Sequence, residues 1–425
     1  MSIALVGNSG GGTAGMAQGA TAVAAPVGAR PVVGLALVGG VLLVALLAGG
    51  VDGHLGVFWL LGVAFGVILQ RSRLCFASAF RDLFLLGEGR ALRAVLAGLA
   101  VATAGFWLFQ QRLVPDPGLG DLPGRAHVFP VGLHTLVAGL LFGFGMVLAG
   151  GCVSGTLYRL GEGYIGSWAA LGGILVGLFA AGRTWNWWWQ VHISQTPLIW
   201  LPRWLGFGGA LLLTLAGLAG VYLLVLWWEA RGAPPLLPVR TTLTPPAFGV
   251  RDHLARLWGL LFGRGWPITS GAIALGVLNV FAYVFDHPLG VTGELATWSA
   301  RLGTALGWPL PPLQGLDRLA GCNLVAEGGA LLSDSFFLDA GLVVGALTAA
   351  VLAGEFRLRW PRQARRYLQS VAGGVCMGYG AGLATGCTIG AFFSAIPSLS
   401  LSGWVFGLAL AGGAFLGGRV LRWLA

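Results

Sequence analysis

Long apolar stretches recur from one end of this chain to the other, and few folds accommodate them. Each approaches or exceeds the roughly 20 residues needed to cross a hydrocarbon core about 30 Å thick as a helix. They fall at 32–50, 54–70, 92–113, 131–149, 164–182, 204–228, 267–285, 336–353, 367–385 and 402–422. The expected fold is therefore an all-α polytopic membrane protein with about ten spans plus shorter re-entrant half-helices.

Composition agrees, because 56% of the 425 residues are hydrophobic and only 9% are charged, which excludes an ordinary soluble domain. A formal charge of +10 would point to nucleic acid in a soluble protein. Here the arginines gather in short loops between spans, where they set orientation, and no nucleic-acid partner is expected.

The chain divides into four parts. Residues 1–30 are rich in Ala and Gly and lack a charged segment followed by an apolar one, so they are expected to form a disordered tail and not a cleaved signal. Residues 31–228 form a first membrane half. Residues 229–266, with Pro234, Pro235, Pro238, Pro245 and Pro246, break any helix and act as a linker. That linker runs into RDHLARLWGLLF, 251–262, which has the pattern of an interfacial amphipathic helix. Residues 267–425 form the second half.

The two halves share a motif. FGFGMVLAGGCVSG at 142–155 lies without a gap over MGYGAGLATGCTIG at 377–390. Gly143, Gly145, Leu148, Ala149, Gly151, Cys152 and Gly155 match Gly378, Gly380, Leu383, Ala384, Gly386, Cys387 and Gly390. The arginine-rich loops 71–93, 229–266 and 354–366 are assigned to the cytoplasm, with both termini, and the arginine-poorer loops 114–130, 183–203 and 286–335 to the outside. The span carrying the first copy then enters from outside and the second from the cytoplasm, so the copies are inverted. Inverted repeats with broken helices are the architecture of secondary transporters, and non-helical backbone at membrane depth is tolerated only where it is buried in protein or lines a cavity.

Gly-Gly-Cys and Thr-Gly-Cys mark the expected breaks. Cys152 and Cys387 precede VSGTLYRLG and TIGAFFSAI, short enough to be half-helices whose free N–H groups favour an anion. Cys75, in QRSRLCFASAFRD at 70–82, holds a similar place after the second span. A buried thiol away from a cation stays protonated and is a weak donor with a polarisable surface. That suits a sulfur-bearing anion better than a hard oxyanion, which calls for Arg or Lys. Gly151, Ser154, Gly386 and Thr388 beside the two thiols complete the candidate site, with Thr156 and Thr385 as further hydroxyls. In the second half HPLGVTGELATW, 287–298, reads as the inverted counterpart of the Cys75 segment, with Gly290 and Thr292 presenting backbone donors.

Against these stand plainer readings. Buried Cys often only fills space, and Cys376 and Cys322 are read that way. Most of the 73 glycines are packing devices. Arg71, Arg73 and Arg81 either gather anions at the cytoplasmic mouth or anchor the interface, and Arg159 pairs most simply with Glu162. The tryptophans of RTWNWWWQ, 183–190, form an aromatic belt. Five cysteines without CxxC and six histidines without ligand spacing signal neither a metal nor another cofactor. No acidic residue stands clearly within a span as a proton relay, which leans away from proton coupling.

Taken together, QRSRLCFASAFRD, AGGCVSGTLYRLGEG, HPLGVTGE, GEFRLR and GYGAGLATGCTIGAFFSAIPSLSLSGW resemble the YeeE/YedE family of sulfur transporters from about residue 54 onward. The resemblance implies uptake of thiosulfate across the bacterial inner membrane by an hourglass-shaped inverted repeat. It places the functional cysteines at Cys75, Cys152 and Cys387, handing the ion on by S–H···S contacts. It also implies, for some members, a small cytosolic sulfur carrier of the TusA type, and for others a link to selenium metabolism. An extra N-terminal span, the Pro-rich linker and a segment 299–335 containing Cys322 depart from the family pattern. Three readings follow: a transporter for thiosulfate or a related sulfur or selenium anion; a membrane sulfur-transfer or redox enzyme needing low-pKa thiolates beside cations and a resolving cysteine; and a scaffold that recruits a sulfur carrier through its arginine loops.

Overall fold

The computed structural model describes residues 23–24, 30–119, 121–232, 262, 265–316, 319 and 332–424. Apart from a two-residue strand pair, β1 (Val23–Ala24) against β2 (Arg357–Leu358), its regular structure is helical. All ten expected spans are helices: α1 (Arg30–Val51), α2 (Gly53–Ser72), α4 (Arg90–Leu113), α5 (Leu133–Ala149), α7 (Ile165–Val191), α8 (Pro202–Gly232), α9 (Ile268–Phe285), α11 (Asp334–Leu352), α12 (Ala364–Leu383) and α13 (Leu401–Leu424). Between them lie the short pieces α3 (Phe76–Leu86), α6 (Val153–Gly161), α10 (Gly293–Ala305) and a π-helix, π1 (Thr388–Ser394). Residues 1–22 and 25–29 of the tail, 233–261 and 263–264 of the linker with most of the expected amphipathic helix, and Cys322 lie outside the described residues.

Helix pairing exposes an approximate two-fold relation. Exchanging α2 with α9, α3 with α10, α4 with α11, α5 with α12, α6 with π1 and α7 with α13 maps one set of contacts onto another. The α2–α11 packing becomes α9–α4, α5–α13 becomes α12–α7, and α3–α13 becomes α10–α7, while α5–α12 maps onto itself. Pairs α2–α3 and α5–α6 each run on as one broken span, Gly53–Leu86 and Leu133–Gly161, and α12 bends by 50° into π1. Each unit thus contributes four crossings, and α8 adds a fifth between them. An odd offset inverts the second unit relative to the first, as the loop charges require.

Glycine seams hold the units together. Between lipid-embedded helices there is little hydrophobic driving force, so association depends on close van der Waals contact, and small-xxx-small patterns let backbones meet. Gly62 and Gly66 of α2 face Gly341 and Gly345 of α11. Gly139 and Gly143 of α5 face Gly413 and Gly417 of α13, and Gly173 and Gly177 of α7 face Gly374 and Gly378 of α12. At Gly66 a Cβ would lie 2.0 Å from the Leu342 carbonyl oxygen, at Gly143 2.1 Å from that of Leu410, and at Gly378 2.1 Å from that of Ile174. Gly143 and Gly378, matched in the repeat, therefore do the same work at symmetry-related seams. Gly145 and Gly380, also matched, fit the α5–α12 contact at the centre, against Gly373 and Ala138.

Polar ties close one end. Arg73 pairs with Glu355 at 2.8 Å and Glu162 at 3.2 Å, Arg71 with Glu355 at 3.4 Å, and Gln70 donates to both carboxylates. The end of α2 is so bound to the α6–α7 turn and to the α11–α12 loop. Arg81 pairs with its neighbour Asp82. The anchoring reading of Arg71, Arg73 and Arg81 fits these contacts.

Gly66→Val is expected to lower the thermal stability of the detergent-solubilised protein by several degrees, since overpacking typically costs about 1–3 kcal/mol and here meets backbone. Gly40→Val on α1, where a Cβ would meet nothing within 4 Å, should leave it unchanged. Size-exclusion chromatography after graded heating compares the two; equal melting would refute the seam.

Candidate substrate pathway

The three family cysteines share one backbone device. Two residues before each stands a residue in the left-handed region: Arg73 (φ 55°), Gly150 (φ 75°) and Thr385 (φ 53°). Each thiol then occupies an extended N-cap, at Cys75 before α3, Cys152 before α6 and Cys387 before π1. For a non-glycine residue the left-handed region costs on the order of 1–3 kcal/mol and persists only where surroundings impose it. Arg73 is held by its two glutamates. Thr385 is buried, and its hydroxyl donates to the Ala384 carbonyl at 2.7 Å.

The helix starts point at the sulfurs. The Gly155 N–H donates to Cys152 Sγ at 3.4 Å, and the Ile389 N–H donates to Cys387 Sγ at 3.3 Å. Ser154 Oγ stands 3.4 Å from Cys152 Sγ, and Thr156 Oγ1 donates to the Cys152 carbonyl at 2.9 Å. Gly151 and Gly386 are buried beside their thiols.

Two thiols converge and the third stands apart. Cys75 and Cys152 lie within hydrogen-bonding reach of each other, and both are free thiols. A Cβ on Gly155 would be 2.8 Å from Cys75 Sγ and 3.3 Å from Cys152 Sγ, so only glycine fits between them. The Val291 backbone acts on Cys387, which places the 286–292 loop, with buried Gly290 and Thr292, beside the third thiol. Asn279 Oδ1 holds that loop through the Leu289 N–H at 2.9 Å, and Ser394 of π1 donates to the Leu289 carbonyl at 3.0 Å. The two stations adjoin through aromatic edges, with Phe76 5.5 Å from Phe393 and 6.5 Å from Phe392.

A cavity of about 300 Å³ reaches Cys75 from the end carrying Arg73 and Arg90. Its walls include Ser78, Tyr158, Arg159 and Glu162. At a share of roughly 30 Å³ per water it holds about ten waters. Near Thr385, on the side of the 114–130 loop, the space is only about 10 Å³, lined by Phe129, His134, Leu383 and Phe406, too little for an ion. There His127 Nδ1 donates to the Gly390 carbonyl at 3.1 Å. Burial pushes this histidine down to about 4, so it is a neutral latch on π1.

Three expectations need correction. Arg159 does not pair with Glu162; it donates to the Gly150 carbonyl, closing the C-terminus of α5, while Glu162 turns to Arg73. The thiols are not remote from positive charge, because Arg159 lines the cavity with Cys75 and acts on it electrostatically. Its role at the Gly150 carbonyl was invisible in sequence, where the i+3 acidic neighbour is the obvious partner. Finally, an acidic residue does stand inside a span: Asp339, buried on α11. Cys376 sits half-buried on α12, away from the breaks.

Comparison with known proteins bears on the same segments. The sulphur transport family matches residues 71–416, a range that takes in all three cysteine breaks. A thiosulfate transporter TsuA of Spirochaeta thermophila is 32% identical over 377 residues, covering 86% of this chain and 97% of the relative. A thiosulfate transporter TsuA of Escherichia coli is 30% identical over 344 residues, covering 81% and 88%. A probable transporter YedE of Escherichia coli is 34% identical over 177 residues, 42% of each chain. These relatives are named as transporters and not as enzymes. With a family match over most of its length and the motifs in order, this chain belongs to the sulphur transport family, the YeeE/YedE group of membrane transporters.

Proposed function

We propose that this protein takes up thiosulfate across the bacterial inner membrane, passing the ion between thiols at the helix breaks. The observation that carries the reading is the device repeated at Cys75, Cys152 and Cys387: a left-handed turn, an extended thiol and the start of a short helix, set in two inverted units. Each break offers a sulfur donor beside free N–H groups, where the helix start carries about half a positive charge. Stripping water from a dianion costs on the order of tens of kcal/mol in a dry medium. Helix starts, Ser154, Thr388 and the donors of the Gly290 and Thr292 loop offset part of that cost, and Arg159 adds a full charge at the Cys75–Cys152 pair.

The sulfur of thiosulfate is large and polarisable, and thiols match it where water would be lost. Under the loop assignment the 300 Å³ cavity opens to the cytoplasm and the Thr385 side is closed, so this conformation is the one that releases the ion inward. Cys387 is then the outer station and Cys152 with Cys75 the inner one. Gly151 and Gly386 keep the backbone thin where the ion passes. Exposed Arg90, Arg357, Arg362, Arg365 and Arg366 give the cytoplasmic face a basic surface on which a small TusA-type sulfur carrier would collect the product.

Uptake of labelled thiosulfate into proteoliposomes containing only this protein tests the proposal, with sulfate and selenite as competitors. Cys75→Ser, Cys152→Ser and Cys387→Ser are each expected to slow uptake at least about tenfold, equal to ~1.4 kcal/mol on the barrier, with membrane abundance intact. Unchanged uptake in all three would sink the thiol pathway. Selenite competing more strongly than thiosulfate would move the assignment to selenium.

Gly155→Ala probes the pairing of the inner thiols. Its methyl would press on Cys75 Sγ and part the two sulfurs, so uptake should fall severalfold while Cys75 and Cys152 keep their own chemistry. Wild-type uptake by this variant would show that the convergence is incidental.

A further inference from the structure

Four buried side chains of the second unit carry polar atoms without a partner among the described residues. Both carboxylate oxygens of Asp339, Oε1 of Glu294 and the hydroxyls of Thr292 and Thr388 make no hydrogen bond. Their exposures are 7%, 4%, 3% and 0%. Unsatisfied buried groups are rare in proteins and mark places where something else binds. Helix α11 with Asp339 packs on α10, which carries Glu294 in its first turn, and Thr388 opens π1 next to Cys387. Only Glu294 has an anchor, since Ser333, the N-cap of α11, donates to its Oε2 at 2.6 Å.

The charges decide what this cluster takes. Asp339 and Glu294 act on each other electrostatically, and Asp339 acts on Cys387. Among the described residues no arginine or histidine is paired with either carboxylate, and the Cys387 thiol is a titratable group on which Asp339 acts. A carboxylate at membrane depth, beside a like charge and without a counter-charge, is costly. A dianion at Cys387 raises the demand, because a carboxylate beside it would repel it. A metal ion is less suited, for the described residues hold no group of three or more acidic, Cys or His side chains able to bind one.

We propose that Asp339, beside Glu294, is a proton-binding site coupled to anion passage at Cys387. The inference rests on the thiosulfate reading above. A proton taken from water on the entry side neutralises the Asp339 carboxylate as the anion reaches Cys387, and it is given up to water on the far side once the anion has moved on. No bond other than O–H forms or breaks. Deprotonated, Asp339 repels anions from the station; protonated, it offers them an O–H donor. The anion and the proton therefore travel in the same direction.

The test is accumulation of labelled thiosulfate in proteoliposomes of the full chain with the membrane potential clamped at zero. An inward proton gradient of one pH unit should raise the accumulated ratio by roughly tenfold per proton carried, and Asp339→Glu should keep the response. Wild-type accumulation that ignores the pH gradient, or that follows a sodium gradient instead, overturns the coupling. If the wild type carries no thiosulfate at all, the function proposed above fails, and the proton site is judged by spectroscopy alone. Infrared difference spectra of the purified protein should show a carboxylic-acid carbonyl stretch at neutral pH that disappears in Asp339→Asn. Absence of that band in the wild type, or its persistence in the folded variant, overturns the site.

Discussion

Backbone touching backbone at glycine is the contact on which this molecule depends. In lipid the apolar faces of helices gain little by leaving their surroundings, so the seams must gain by proximity. Each major seam has carbonyls where a methyl group would stand, as at Gly66 against Leu342 and Gly378 against Ile174. Because the seams repeat under the exchange of the two units, they fix where broken helices meet. The candidate pathway lies between such seams, and its geometry is inherited from them.

Broken helices are costly in a membrane, since each interrupted turn frees N–H and C=O groups that lipid cannot satisfy. Here the freed groups are put to use. Arg159 takes the Gly150 carbonyl, and the thiols accept the first N–H groups of the helices that follow. Under the proposed function, a substrate bearing both sulfur and negative charge would replace these contacts without leaving a group stranded.

Much of this was legible in the sequence, and the limits are physical. Apolar runs gave the spans because helix length in a bilayer is a strict requirement, and the 142–155 and 377–390 match gave the two thiol breaks because inverted copies keep the same local chain geometry. What escaped lay in three dimensions. Arg73 and Thr385 adopt a conformation that their residue types disfavour, so only neighbouring ion pairs and packing reveal it. Segment π1 appeared as a half-helix, but its wider winding was not written in its residues. Asp339 near the start of an apolar run was not singled out, because its burial beside α10 depends on a helix distant in sequence.

The exchange of units is imperfect at one place. Where the first unit has Cys75 at the cap of α3, the second has Thr292 at the cap of α10. A carrier with equal stations would saturate alike from either face. Under the proposed relay, a thiol pair at one station and a single thiol at the other give the two faces different half-saturation concentrations. Detailed balance then ties each to its own maximal rate, so that the ratio of rate to half-saturation at zero gradient is the same in both directions. The missing thiol thus sets on which face the transporter is easily filled, and leaves the net direction to the gradients across the membrane.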